Sequence, residues 1–204
     1  IQLPQFRLPG FSTIKSGDVV VFNVPTELQH PSDLRTNYIK RCIGAAGDRV
    51  EIKDTQVFVN GKPMANPPRM ENEFFIVTNT RVNEDKIFRE NGISEYGSYT
   101  ETYGDDDPSN DESGYIAHTT SEKIELLKTY DFVKEVKQVK SPADFEERGI
   151  FPVFESYKWN RDNYGPITVP KKGLTIQLTP ENLALYATLI QNYEGNSNVV
   201  FEDN

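Results

Sequence analysis

Apolar and polar residues alternate with a period of two through much of the first 64 residues, which predicts short β-strands. Asn60-Gly61 lies between two alternating segments and is typical of a tight hairpin turn. The first part of the chain is therefore predicted to be a small antiparallel β region. Its predicted strands lie at 19–24, 37–43, 49–53 and 56–59.

The pattern changes after Pro67-Pro68. Residues 95–114 are polar and poor in aliphatic side chains, which predicts a mobile loop. Residues 132–139 fit either a strand or a continuing helix, and the pattern leaves both open. The other elements predicted here are a strand at 74–77, a helix at 81–92 that Gly92 closes, and a helix at 121–128.

The last third of the chain contains the clearest helix signal. Thr179-Pro180-Glu181 begins it, and its apolar face repeats every 3.6 residues at Leu183, Tyr186, Ala187, Ile190 and Tyr193. Weaker signals predict a short helix from Ser141-Pro142 to Gly149, a strand at 174–178 and another strand in the tail at 196–204. The predicted fold is mainly β with a few helices, in the α+β class.

Composition narrows the possible functions. The net charge of −9, from 31 acidic and 22 basic residues, argues against a nucleic-acid partner. Cys42 is the one cysteine, so an intrachain disulfide and a Cys/His zinc site are excluded. No stretch approaches the length of a membrane span. The sequence starts at Ile1 without methionine, so we expect a fragment.

Lys40 is the candidate for chemistry in the second predicted strand. Alternation places Tyr38, Lys40 and Cys42 on one face and Ile39, Arg41 and Ile43 on the other. If the first face is covered, loss of water favours the neutral amine, which can act as a general base toward a serine hydroxyl. The alternative is an ordinary solvated lysine on an exposed strand.

Three blocks of sequence resemble consecutive blocks of the bacterial type I signal peptidases, or leader peptidases. YIKRCIGAAGD at 38–48 resembles the family's Y-I-K-R-x-x-G-x-P-G-D block. SGDVVVF at 16–22 and VFVNGKP at 57–63 are similar to the blocks on either side of it. WNRDNYGP at 159–166 is similar to a segment of long members of the family.

The resemblance implies a membrane-bound serine endopeptidase that removes signal peptides from secreted preproteins. Such an enzyme works on the outer (periplasmic) face of the cytoplasmic membrane, with a Ser-Lys dyad and no metal or cofactor. By position, Lys40 is the general base, and Tyr38 and Ile39 line the substrate pocket. The implied supporting residues are Arg41, Gly44, Gly47 and Asp48.

Two departures from the family pattern matter. Ala46 replaces the proline of the turn. The nucleophile block, S-x-S-M-x-P-T, has no counterpart, since Ser12 and Ser16 lack its context; the late G-D-N-R block is also absent. We therefore expect an internal fragment that is inactive alone, whose membrane anchor and serine lie outside it.

The expected organisation has two parts. Residues 1–64 are part of the catalytic β core, without the nucleophile and the last block, and residues 65–204 are a large α+β insertion. The rival hypothesis is a non-catalytic β-rich binding or assembly module on the same scaffold.

Other candidate sites are weaker. The acidic stretch at 105–112 does not have the spacing of a calcium-binding EF-hand loop, so a solvated loop is expected. His30 is expected to be exposed, and His118 to be exposed or packed against a helix start. Cys42 is expected to be a small buried hydrophobe rather than a reactive thiol.

Overall fold

The computed structural model describes residues 10, 12–27, 29–31, 34–102, 111–193 and 199. These residues form ten strands, two α-helices and one π-helical turn at Asp85–Arg89. The strands are β1 (Val19–Asn23), β2 (Asn37–Arg41), β3 (Arg49–Lys53), β4 (Gln56–Val59), β5 (Lys62–Pro63), β6 (Glu71–Thr78), β7 (Glu95–Glu101), β8 (Glu112–Thr120), β9 (Val133–Gln138) and β10 (Tyr164–Thr168). The helices are α1 (Ser121–Leu127) and α2 (Pro180–Asn192).

The chain divides into two compact units. The first combines residues from 1–64 with residues from 143–204, and the second comprises 65–142. The predicted fold class, mainly β with a few helices, is confirmed. The assignment of 1–64 to a catalytic core and of 65–204 to an insertion stays a prediction. No helix in the described part of the chain is long and apolar enough to cross a membrane.

The first unit contains a two-stranded ribbon and a four-stranded sheet. β1 and β2 form the antiparallel ribbon, and the sheet has the strand order β10-β3-β4-β5. Between β4 and β5, Asn60 and Gly61 have φ values of 53° and 77°, as the predicted tight turn requires. All four predicted strands of this region are therefore confirmed, within two residues at their ends.

Helix α2 confirms the clearest helix prediction. The Thr179 hydroxyl caps its first turn by accepting a hydrogen bond from the backbone N–H of Asn182. Tyr186 is buried, and its hydroxyl donates to the Thr168 carbonyl at 2.9 Å. The hydrogen bond from Tyr186 attaches the helix to the end of β10.

The strand predicted at 174–178 is wrong. Its alternating apolar residues line a groove of about 220 Å³ together with Leu189 and Ile190 of α2. The apolar side of this segment thus faces a helix rather than a neighbouring strand, and Leu174 and Leu178 remain exposed in the groove. The strand predicted in the tail lies outside the described residues except for Val199.

The short helix predicted from Ser141 to Gly149 is also wrong. The Phe145 carbonyl accepts a hydrogen bond from Asn160, and the Glu147 backbone N–H donates to the Trp159 carbonyl. Arg161 forms an ion pair with the Glu147 side chain. Contacts with residues about 14 positions later therefore override the local helix-start signal.

The second unit is a four-stranded antiparallel sheet with the order β7-β8-β6-β9. The strand predicted at 74–77 is confirmed within β6, and the open choice at 132–139 is resolved as strand β9. Helix α1 confirms the helix predicted at 121–128. The hydrophobic core of the second unit consists of Phe74, Ile76, Phe88, Ile93, Tyr115, Ala117, Ile124 and Leu127.

The helix predicted at 81–92 is shorter than expected. A π-helical turn spans Asp85–Arg89, and the Ile93 N–H donates to the Phe88 carbonyl five residues earlier. Phe88 is 1% exposed and stacks on Tyr96 with 4.8 Å between ring centroids. Packing of Phe88 on the sheet thus defines where this segment is helical.

The loop predicted at 95–114 is wrong at both ends. Residues 95–101 form edge strand β7, and β8 begins at Glu112. Tyr96 contacts the core from one face, while Tyr99 packs edge-on against Phe75 from the other at 5.1 Å. The segment is polar because β7 is at the edge of the sheet. The acidic stretch at 105–112 lies outside the described residues except for its last two positions.

Asn160 gives a test of the first unit. It is fully buried, accepts hydrogen bonds from the backbone N–H groups of Asp162 and Asn163, and donates to Phe145. We expect Asn160→Ala to lower the free energy of unfolding by about 2–4 kcal/mol, since buried backbone groups lose their partners. Denaturant unfolding measures this, with exposed Asn66→Ala as control; equal effects would contradict the assignment.

Candidate active site

The β1–β2 ribbon positions Lys40 opposite Val20. Because paired residues project to the same face, Lys40 shares that face with Val20, Phe22 and Tyr38. Lys40 Nζ lies 5.5 Å from the centroid of the Tyr38 ring, and that ring meets Phe22 edge-on at 6.3 Å. The ammonium is therefore held beside a small aromatic surface.

Lys40 itself is exposed, as are all five residues of β2. It makes no ion pair or hydrogen bond with any described residue. The covering that would dry its amine is thus not provided by the part of the chain that the structure describes. Its assignment as a general base stays a prediction.

Tyr38 and Ile39 lie on opposite faces of β2. Ile39 is 66% exposed and lies opposite Val21, which is 68% exposed. Both faces of the ribbon therefore present apolar side chains to solvent. The prediction that Tyr38 and Ile39 line one pocket stays a prediction, and such a pocket has to extend around an edge of the strand.

Ser16 donates its hydroxyl to the segment after β2 and makes no described hydrogen bond to Lys40. The Ser16 hydroxyl donates to the Ile43 carbonyl at 2.6 Å and lies 3.7 Å from the Met64 sulfur. Ser16 lies in the turn before β1, four residues before Val20, the partner of Lys40. Ser12 is exposed and no closer along the chain. The exclusion of both serines from the nucleophile role stays a prediction.

Arg41 and Cys42 stabilise the base of the ribbon. The Arg41 guanidinium donates to the Gly17 carbonyl at 2.7 Å, and the Cys42 N–H donates to the Asp18 carbonyl at 2.7 Å. Cys42 is half-buried rather than fully buried, and its thiol lies 3.4 Å from the Gly44 carbonyl oxygen. Arg41 thus ties the strand that carries Lys40 to the turn before β1.

The turn after the ribbon is organised by Asp48. One carboxylate oxygen accepts from the Ala45 N–H at 2.9 Å, and the other accepts from the Asn60 side chain at 2.8 Å. Asn60 in turn accepts from the Arg49 N–H. Asp48 therefore joins its own turn to the β4–β5 hairpin.

Val169 holds the same turn from the other side. The Gly47 N–H donates to the Val169 carbonyl, and the Val169 N–H donates to the Asp48 carbonyl, both at 2.8 Å. Sequence reasoning missed Val169, because it lies more than 120 residues from the turn. From the sequence, Asn60 was predicted only as a turn residue. Its side chain also accepts a hydrogen bond from the Arg49 N–H and donates one to the Asp48 carboxylate.

The histidines contribute nothing to this region. His30 is exposed, and its carbonyl accepts from Arg35. His118 is exposed on β8 and lies 3.8 Å from a Glu73 carboxylate oxygen. No group of three or more acidic, histidine or cysteine side chains that could hold a metal ion occurs among the described residues.

Glu27 anchors the segment that leads into β2. Its carboxylate accepts from the Thr36 backbone N–H at 2.8 Å and from the Thr36 hydroxyl at 2.9 Å. These hydrogen bonds, the backbone one first, lower the pKa of Glu27 below its ordinary value. Because the pKa of Glu27 is lower in the folded than in the unfolded state, the ionised carboxylate stabilises the fold at pH values above its ordinary pKa. This stabilisation is lost as the pH falls through the lowered pKa of the folded state.

The pH dependence of Thr36 amide exchange tests this anchor. In the unaltered protein, protection of the Thr36 N–H should fall as the solution is acidified below pH 4.5, the carboxylate's ordinary pKa. Glu27→Gln should remove most of that pH dependence, while exposed Glu155→Gln should leave it intact. An unchanged profile in Glu27→Gln would show that another group controls the loop.

Gly44 provides a steric test of the turn. A Cβ at this position would lie 2.4 Å from Cγ2 of Val50, which is largely buried. We expect Gly44→Ala to destabilise the protein by about 1–3 kcal/mol through overpacking. Gly97→Ala, where a Cβ meets nothing within 4 Å, is the control in the same unfolding measurement. Equal stabilities of the two variants would mean that the turn yields readily.

Comparison with known proteins gives one family match and several curated relatives. The family model described as signal peptidase, peptidase S26, matches residues 5–113, which extends past residue 64. Signal peptidase I T of Bacillus subtilis (strain 168) is 39% identical over 54 residues, covering 26% of this chain and 24% of the relative. Signal peptidase I P of Bacillus subtilis subsp. natto is 44% identical over 48 residues, covering 24% of this chain and 22% of the relative.

The alignments are short. Signal peptidase I of Bacillus licheniformis is 36% identical over 58 residues, which is 28% of this chain and 27% of the relative. The chain thus matches about a quarter of the length of these curated relatives. No solved structure matches it.

Proposed function

Because this chain belongs to the signal peptidase family, peptidase S26, we propose that its protein is a serine endopeptidase that removes signal peptides from secreted preproteins. The observation that carries the proposal is the position of Lys40. It lies on an exposed ribbon whose following glycine–aspartate turn is held in place by Asp48 and Val169. The membrane, the outer face of the cytoplasmic membrane and the preprotein substrates are parts of this proposal.

In the proposed mechanism Lys40 is the general base. Its neutral amine accepts the proton of a serine hydroxyl as the serine oxygen attacks the scissile carbonyl. The same lysine then returns the proton to the departing amine, and a water molecule later releases the acyl group. This requires the serine oxygen within about 2.6–3.2 Å of Lys40 Nζ, either directly or through one water.

The serine comes from a segment other than the described residues. Ser16 is bonded to the Ile43 carbonyl, and Ser12 lies still further from Lys40 along the chain. Because the sequence has no counterpart of the family's nucleophile block, the 204-residue chain alone is proposed to be inactive. No cofactor is required, since hydroxyl and amine complete the dyad.

The serine-bearing segment and the signal peptide also supply the missing cover of the ribbon. Large apolar side chains on both faces are exposed, and among described residues each ribbon strand pairs only with the other. An added extended segment can satisfy a free strand edge while its side chains cover Lys40. Tyr38 then borders the dyad, and Ile39 contacts substrate around the edge of β2.

The first unit supports a narrower insertion than residues 65–204. β10 pairs with β3, and Val169 binds the turn at Gly47 and Asp48, so residues 143–204 are proposed to belong with the catalytic core. The insertion is then the second unit, residues 65–142.

The test of the base is Lys40→Ala in the full-length protein. We expect cleavage of a preprotein to fall at least about 1,000-fold, because removing one member of a nucleophile–base pair abolishes most of the rate. Gel-based kinetics of signal-peptide release measure it. Lys53→Ala is the matched control, since Lys53 is also an exposed strand lysine beside an aromatic ring, 5.8 Å from Phe58.

Three outcomes would count against parts of the proposal. Unchanged cleavage in Lys40→Ala would remove the general-base role. Absence of cleavage by the unaltered full-length protein would favour the non-catalytic binding or assembly module. Cleavage by the 204-residue chain alone would instead refute the external serine.

A further inference from the structure

The second unit contains an open cavity of about 430 Å³ at one end of its sheet. Its lining comes from the end of β6 and the residues after it, the middle of β7, and the start of β8. The polar side chains of the lining include Thr78, Thr80, Arg81, Ser98, Thr100 and Ser113. The volume is in the range of small-molecule sites in proteins.

Arg81 is the cation of this cavity. It is exposed and makes no hydrogen bond or ion pair with any described residue. A guanidinium offers five N–H donors in a planar fork that matches phosphate and carboxylate oxygens. Arg81 is thus free to bind an anionic group from solution.

Several hydroxyls in the cavity retain protons to donate. Thr78 and Thr80 have no side-chain partner among the described residues. Thr100 and Ser113 lie 3.3 Å apart and bond to each other, which leaves one of the two protons available. The Tyr115 oxygen accepts from the Val82 N–H at 3.1 Å, so its own proton can point into the cavity.

The cavity carries a positive side chain in a unit whose acidic residues outnumber its basic ones. Between residues 65 and 142 there are 16 acidic and 9 basic residues, yet among the residues that the structure describes no carboxylate lines the cavity. A Glu84 carboxylate oxygen lies 3.4 Å from the Ser98 hydroxyl. An isolated guanidinium among hydroxyl donors is an arrangement that favours an anion over a cation.

From these observations we infer that the cavity binds the oxyanion group of a small organic molecule, such as a phosphate monoester. Arg81 provides the charged fork, and the hydroxyls of Thr78, Thr80 and Tyr115 donate to the remaining oxygens. Tyr99 also lines the cavity, although its ring packs against Phe75 on the other face of β7. This site is separate from the proposed peptidase chemistry and does not depend on it.

Calorimetric titration of the full-length protein at low salt tests the inference. The probes are inorganic phosphate, phenyl phosphate and benzoate. We expect saturable binding of phenyl phosphate, with phosphate weaker, and competition by added salt. Arg81→Gln should weaken phenyl phosphate binding about tenfold or more, and Thr78→Val by a smaller factor.

The control is Arg69→Gln, another exposed arginine of the same unit that makes no described ion pair and does not line the cavity. The Arg69→Gln variant should bind phenyl phosphate with a Kd within about twofold of that of the unaltered protein. Circular dichroism should show that each variant is folded. Tighter binding of benzoate than of phenyl phosphate would assign a carboxylate ligand to the same oxyanion site. No saturable binding of any probe, or equal losses in Arg69→Gln and Arg81→Gln, would overturn the inference.

Discussion

The arrangement of the first unit depends on two backbone hydrogen bonds between a turn and a distant strand end. Gly47 donates to Val169 and Val169 donates to Asp48, while the Asp48 side chain closes the turn and binds Asn60. The turn begins at Ala45, five residues after Lys40, so this clamp fixes where the ribbon leaves the sheet. The ribbon also contacts the rest of the unit at Ser16, which lies 3.7 Å from the Met64 sulfur, and just after β1, where the Pro25 carbonyl accepts from the Tyr193 hydroxyl at 2.9 Å.

The ribbon that this clamp positions is stable in backbone pairing but incomplete in burial. Its five paired positions use the inner edges of both strands, whereas Val21 and Ile39 remain mostly exposed. Apolar area left in water on both faces is favourable to cover with another segment, at roughly 25 cal/mol per Å². The proposed enzyme uses this property, since the segment that covers the ribbon also delivers the serine and the substrate.

Local signals predicted the parts of the fold that local interactions determine. The β3–β4 hairpin follows from alternation and the Asn60-Gly61 turn, and α2 follows from the cap at Thr179. The failures share a different cause. Segment 141–149 is fixed by Asn160 and Trp159, and β7 is fixed by pairing with β8, so neither conformation is encoded within its own residues.

The candidate site was predictable to the same extent. Alternation correctly placed Tyr38 and Lys40 on one face, and the resemblance supplied the family. The exposure of Lys40 and the clamp by Val169 could not be predicted, because both depend on contacts made or missing far from residue 40. Periodicity gives the face of a strand but not what lies against it.

The most direct test is to determine the structure of the full-length protein. The distance to measure is the one between Lys40 Nζ and the nearest serine hydroxyl oxygen. The account predicts a serine from outside the described residues within about 3.2 Å, or one water away, with Lys40 covered. Ser16 should remain bonded to the Ile43 carbonyl. A solvent-exposed Lys40 with no serine in reach, in a protein that cleaves preproteins, would contradict it.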